Sequence, residues 1–439
     1  MRQTLDFIQS VRELNDPRLM PLPKTSFISG TRSQMKPPLT STGWTTSRLK
    51  QHEFIRYTFV AGLTYILLFT PINMLSYSAA VGTALILYSI AEGSFFRLVW
   101  LHKKTLATLL LFLFVSAAHS PLTKEAITGS FNVFKGLWIL PVAVLASDYF
   151  TEMRFRHVAI ILSVTSAVIA QSILWLVVEW QAPYDSLLEW SGSHVGNIHN
   201  LANFFFMSLL LAGILTWQYR SSIARWTGIC SALALIPMCM LVKSEGSYLA
   251  LAFTILLLAG LKYKGLFGSS SLVLASILVI LLQLFYALPE QFSQVTGIQA
   301  TTLHIRSQIY GQLLEAWSQH PLIGWGAATY KYVEQAAVDG DRFLYPHNLY
   351  LEALFSLGAF GVILLSAWLL SALRKLNFRR IVNDPALSFA LAILAYFSVK
   401  GMSDMKLMSY HTIGVFSICL GILVGSNRSM RSQQKPREA

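Results

Sequence analysis

The chain has 439 residues, of which 54% are hydrophobic and only 13% charged, where a soluble globular protein carries about a quarter charged residues. The apolar residues fall in about twelve blocks of roughly 15–25 residues, too long for ordinary core helices and without the alternation of barrel strands. The net charge of +13 comes from short basic loops and basic tails between these blocks, so it points to membrane topology and not to nucleic acid.

In chain order, residues 1–53 are polar and rich in Pro, Ser and Thr, with no apolar signal-peptide core before Phe54. They read as a largely disordered basic tail that lies against anionic lipid. Residues 54–426 form the membrane domain. Its expected spans are 54–71, 73–91, 105–119, 132–150, 158–180, 199–218, 226–242, 248–262, 269–288, 347–371, 386–401 and 410–426. A basic tail, 427–439, closes the chain. The expected fold is an all-α polytopic membrane protein with about twelve helices, because in lipid only helices or closed barrels satisfy the backbone. One set of alternate loops holds 17 Lys and Arg and the other holds 6. The basic set is therefore assigned to the cytoplasm, with both termini. Cys230, Cys239 and Cys419 all fall inside apolar spans and read as small core residues.

Candidate site residues gather at the other end. "GNIHNLANFFF" places His199 and Asn200 at an outer helix end, with Asn203 on the same face. Polar residues there are satisfied by neighbours or by substrate. "VKSEGSYL" is a tight turn carrying Lys243 and Glu245, with Ser244 or Ser247 able to cap the next helix. It reads as an ordinary interfacial turn or as an anion site beside a helix N-terminus. The connection 181–198 is short. The connection 289–346 is the long one, and loops of that length tend to be functional. Within it "LHIRSQIYGQLLEAWSQH" has helical periodicity. Arg306 shares a face there with Tyr310, Leu313 and Trp317, and is either buried against an anion or snorkelling. "VDGDRF" reads as an ordinary turn, although Asp339 and Asp341 have the spacing of a metal-binding pair.

"YPHNLYLEALFSLGAFG" then enters an apolar span. His347 stands at its lip, and Asn348 and Glu352 are at i, i+4, where they can hold each other. An ionisable group one turn below the lip is a functional candidate by default. Gly358 and Gly361 read as small faces for close helix packing. Arg342, and Lys400, Asp404, Lys406 and His411 around the last outer turn, could line an entrance.

"PHNLYLEALFSLGAFGVILL" resembles the histidine-asparagine helix of the O-antigen ligase and polymerase family, and "IRSQIYGQLLEAWSQHPLIGWGAATY" resembles the segment before it. "GNIHNLANFFFMSLLLAG" is similar to the family's upstream glycine-asparagine stretch. The resemblance covers roughly residues 190–370. It implies a membrane fold of the C type of glycosyltransferase, in the bacterial inner membrane. Its members take a glycan from an undecaprenyl pyrophosphate carrier on the periplasmic side, with inversion and without a metal or other cofactor. A ligase passes the glycan to lipid A core, and a polymerase passes it to a growing glycan. By position His347 matches the catalytic histidine and Arg306 the loop arginine. Lys243, Glu245, His199, Asn200, Asn348, Glu352 and Arg342 are the expected substrate contacts. One turn departs from the family: Ser244-Glu245-Gly246 stands where serine-arginine-glycine is usual, and the nearest cation is Lys243, which lacks the guanidinium fork. The single dominant outer loop favours a ligase. A transporter would instead place its charges along a midplane pathway.

Overall fold

A computed structural model describes residues 94–146, 152–179, 183–194, 198–220, 222–263, 266–287, 300–333, 337–338, 341–342, 345–374, 376–403, 405–408 and 410–434. The expected spans 54–71 and 73–91 and the N-terminal tail lie outside these residues.

The described chain is almost wholly helical. In order it runs α1 (Ser94–His119), α2 (Thr123–Ala146), α3 (Glu152–Val178), α4 (Pro183–His194), α5 (Ile198–Gln218), α6 (Ile223–Leu241), α7 (Glu245–Lys262), α8 (Leu266–Ala287) and α9 (Ala300–Gln319). A single 3-10 turn (Tyr330–Tyr332) and a two-residue ladder, β1 (Ala337–Val338) with β2 (Asp341–Arg342), precede α10 (Leu349–Leu373). Then come α11 (Phe378–Ile381), α12 (Pro385–Lys400) and α13 (Tyr410–Gln434). Ten of the expected spans coincide with helices. Five helices among the described residues (α3, α5, α6, α7 and α10) are long and apolar enough to cross a membrane by themselves, and shorter apolar helices accompany them. The protein is a multi-pass membrane protein. Two expectations change. The short connection 181–198 contains α4, and the basic tail begins as a continuation of α13.

The exterior carries the mark of lipid. Ile161, Val168 and Trp175 of α3 are exposed at seven-residue spacing, as are Trp226, Leu233 and Met240 of α6. Two helical turns separate each pair, so each trio forms one apolar stripe that water would not tolerate. Cys230 is exposed, unlike Cys239 and Cys419, which are buried as expected.

α12 is the central helix. Asp384 caps it by accepting from Ala386 N and Leu387 N, and Pro385 occupies the first turn. Its side chains are buried on every face but at Ser398, as an all-round apolar sequence requires. It packs against α3, α5, α7 and α13. At one end of the bundle Gln218 donates to Val382 O and Ser388 Oγ, and Lys262 lies 4.1 Å from the Trp217 ring centroid. At the other end Tyr396 OH of α12 donates to Asn203 Oδ1 of α5 (3.4 Å), and Phe206 packs on both Tyr248 and Tyr396. The second end carries the candidate residues.

α10 is not continuous. Gly358 has φ +63° and ψ −176°, which breaks the helix inside its apolar stretch. The segment Pro321–Gly326 fills the break. Trp325 N donates to Phe355 O, Gly326 N to Ser356 O, Ala359 N to Pro321 O and Phe360 N to Leu322 O. The backbone groups freed by the break are thus satisfied by protein, the condition for irregular backbone at membrane depth. Gly358 is therefore a splice point and not the small packing face expected from sequence. Gly361 is a packing glycine, since a Cβ there would meet the Phe112 ring.

Candidate functional site

Asn348 is the N-cap of α10. Its Oδ1 accepts from Tyr350 N (3.0 Å) and Leu351 N (3.1 Å), the ordinary use of asparagine at a helix start. Its Nδ2 donates to Met402 O (3.1 Å). The helix so begins at Leu349, two residues later than the sequence suggested, and His347 precedes the cap. His347 has φ +56°, a left-handed conformation that costs a non-glycine residue about 1–2 kcal/mol. Strain of this kind clusters at functional sites. The ring is half-buried and lies 4.3 Å from the Tyr345 ring, centroid to centroid.

Glu352 does not pair with Asn348. The Asn348 side chain is already committed to the cap and to Met402, so the carboxylate finds another partner. Glu352 is fully buried and accepts from Leu407 N, with Lys406 and Met408 N–H beside it. It ties the segment after α12 to the first turn of α10.

That segment is the hub of the site. Leu349 N donates to Gly401 O (2.7 Å). Met402 O accepts from both Asn348 Nδ2 and Tyr310 OH (3.3 Å) of α9. Ser403 Oγ donates to Lys400 O and stands where a Cβ on Gly246 would be. Lys400 is wholly buried and donates to Ser247 Oγ (2.6 Å) and Ser244 Oγ (3.2 Å). So Lys400 does not line an entrance, as its position at the end of an apolar span suggested. Residues 400–403 join α9, α10 and the turn before α7. Asp404 and the His411 side chain lie outside the described residues.

On α9 the buried stripe is Ile309, Leu313 and Ala316. Arg306 and Tyr310 flank it, half-buried, so the face read from sequence is rotated by one ridge. Arg306 lies one turn before Tyr310, the residue of α9 whose hydroxyl reaches the hub. Tyr330 packs with the stripe and with Phe355. Burial pushes its phenol up to about 12, and its hydroxyl has no hydrogen-bond partner among the described residues. It stays protonated at neutral pH and cannot serve as a base.

The Lys243 turn is tight. Lys243 adopts φ +43°, the left-handed position that ends α6. Lys243 and Glu245 are exposed. Ser244 is the N-cap of α7 by position, yet its hydroxyl bonds Ser247 Oγ (2.7 Å) and Lys400 in place of a helix amide. The expectation of a serine cap gives way to a serine pair held on a lysine.

His199, half-buried, and Asn200, exposed, begin α5. Asn203, one turn on from His199, bonds Tyr396, itself one turn before Lys400. The three expected segments and α5 thus meet at one end. Arg342 lies on β2, paired with Ala337, and its side chain is outside the described residues. Val338 pairs with Asp341 in the ladder, and residues 339–340 lie outside the described residues.

Residues 229–366 match the family model described as O-antigen ligase. The matched stretch runs from α6 into the second half of α10. It takes in Lys243, Glu245, Arg306, Arg342, His347, Asn348 and Glu352, and leaves out His199, Asn200 and the 400–403 hub. No curated protein matches the chain.

Proposed function

We propose that this chain, which carries an O-antigen ligase domain over residues 229–366, is a glycosyltransferase of the bacterial inner membrane, facing the periplasm. It moves a glycan from undecaprenyl pyrophosphate to a sugar hydroxyl of lipid A core. The observation that supports this reading most is that residues 400–403 bond Tyr310, one turn from Arg306, Asn348, next to His347, and Ser244, next to Lys243.

The acceptor hydroxyl attacks the anomeric carbon, and the bond from that carbon to the pyrophosphate oxygen breaks. His347 takes the hydroxyl proton, a task suited to an imidazole near neutral pH. Asn348 and not His347 caps α10, so the imidazole stands just ahead of the helix at the lip. The departing pyrophosphate carries the charge. Arg306 holds it through charge-assisted hydrogen bonds, while Lys243 contacts the pyrophosphate already in the bound donor. Attack opposite the leaving group inverts the anomeric centre. Asn348 and Glu352 act from behind, by fixing the lip to the hub. His199, Asn200, Glu245 and Arg342 stand around the acceptor and the glycan. The reaction needs no metal in this scheme.

A polymerase of the same family is the second reading, favoured by α4, which gives the 181–198 connection a structure of its own. The test is transfer by the purified protein from an undecaprenyl pyrophosphate-linked glycan, offered lipid A core and free repeat units in separate reactions. His347→Ala should lower the rate by a factor of about 10²–10⁴ with thermal stability unchanged. A stable variant that keeps more than about a tenth of the rate removes histidine from the mechanism.

A further inference from the structure

We propose that Lys400 is a positioning residue for donor recognition, which holds the Lys243–Gly246 turn in the shape that meets the carrier pyrophosphate. The role rests on the donor assignment above.

Lys400 lies thirty-four residues beyond the matched family stretch, yet its Nζ reaches back 156 residues to Ser244 and 153 to Ser247. Three features argue that this contact serves the turn and not stability alone. Burying a lysine is costly, and apolar residues of similar volume in place of buried ionic groups are often neutral or stabilising. Next, Lys243 keeps a left-handed backbone without being glycine, and such a conformation persists only where its surroundings over-determine it. The adjoining residue, Ser244, is pinned through its hydroxyl by Lys400 and Ser247. Finally, the same hub carries the Asn348 and Tyr310 contacts, so the turn is placed in register with the His347 lip and with α9.

The turn exposes Lys243 while Lys400 stays out of reach of solvent. Lys400 therefore acts through the serines. Loss of its Nζ should loosen the phosphate-facing turn without touching the proton-transfer group. That predicts a change in donor KM rather than in kcat, since the turn binds the pyrophosphate in ground and transition states alike.

The experiment uses the full-length protein in lipid nanodiscs with an undecaprenyl pyrophosphate-linked glycan. Lys400→Met should accumulate in the membrane and raise donor KM about tenfold, with kcat within about threefold of wild type. A triple variant, Lys400→Met with Ser244→Ala and Ser247→Ala, removes the two serine hydroxyls together with the amine they accept from and guards against misfolding. It should show the same KM. Wild-type kinetics in either stable variant, or a loss confined to kcat, overturns the role. Failure of the wild type itself to bind undecaprenyl pyrophosphate overturns the donor assignment and this role together, and so is distinguishable from failure of Lys400 alone.

Discussion

At the lip of α10 two adjacent residues divide the work. Asn348 spends its side chain on the amides of Tyr350 and Leu351 and on Met402 O, so His347 is left without a capping duty. Arg306 is argued by the same kind of accounting. It flanks a buried stripe and lies one turn from a tyrosine anchored on the hub. Arg306→Lys keeps the charge and loses the fork. Transfer should fall about ten- to a hundredfold, the worth of a charged hydrogen bond, with normal accumulation in the membrane. Undiminished transfer by Arg306→Lys, measured on the purified protein, would reduce the arginine to a snorkelling residue. Tyr330 makes a contrary case. Its buried hydroxyl has no partner among the described residues, and an unsatisfied buried hydroxyl costs about 1–3 kcal/mol. Tyr330→Phe should leave activity intact and hold or raise the melting temperature. A marked loss of stability would mean that the hydroxyl is bonded in the folded protein.

The break in α10 sets the geometry of the whole outer loop. Four backbone hydrogen bonds splice Pro321–Gly326 into the helix around Gly358. A side chain at 358 would meet the Leu322 carbonyl, and at 324 the Phe355 carbonyl. Gly358→Ala should therefore destabilise the protein by about 1–3 kcal/mol from backbone strain alone, and the collision adds to that. The loop would lose its anchor, so limited proteolysis should cut the 300–346 region of the variant faster than that of the wild type. Equal rates of cleavage would show that the splice does not hold the loop. His347 lies eleven residues before Gly358, just ahead of the cap of the first half-helix, which makes the splice a determinant of where the imidazole stands.

Across the whole molecule the basic residues Arg220, Lys262, Arg379 and Arg380 sit at the end opposite the hub, where α5 and α7 finish and α12 begins. With the 17-to-6 asymmetry of the loops, this supports the proposal that the hub faces the periplasm. A membrane-impermeant maleimide applied to intact spheroplasts should label Glu245→Cys, which is exposed in the turn bonded to the hub. It should spare Phe378→Cys at the basic end until the membrane is opened. The reverse pattern would invert the assignment of the site. What the sequence determined by itself was local or compositional. The spans follow from the length of apolar runs and the helix of the outer loop from its period. The family likeness of the 304–361 tract rests on contiguous residues. Long-range pairings were decided only by the tertiary structure. Asn348 and Glu352 are well spaced to bond each other, but the cap and Leu407 N compete for them and win. Gly358 looks like a packing glycine until the loop that fills its break is seen. Lys400 looks like a cation at a span end until the bundle closes over it with two serines from a turn more than 150 residues away. Periodicity reports which face a residue occupies, whereas these contacts depend on which distant backbone groups need a partner, and that is fixed only when the helices pack.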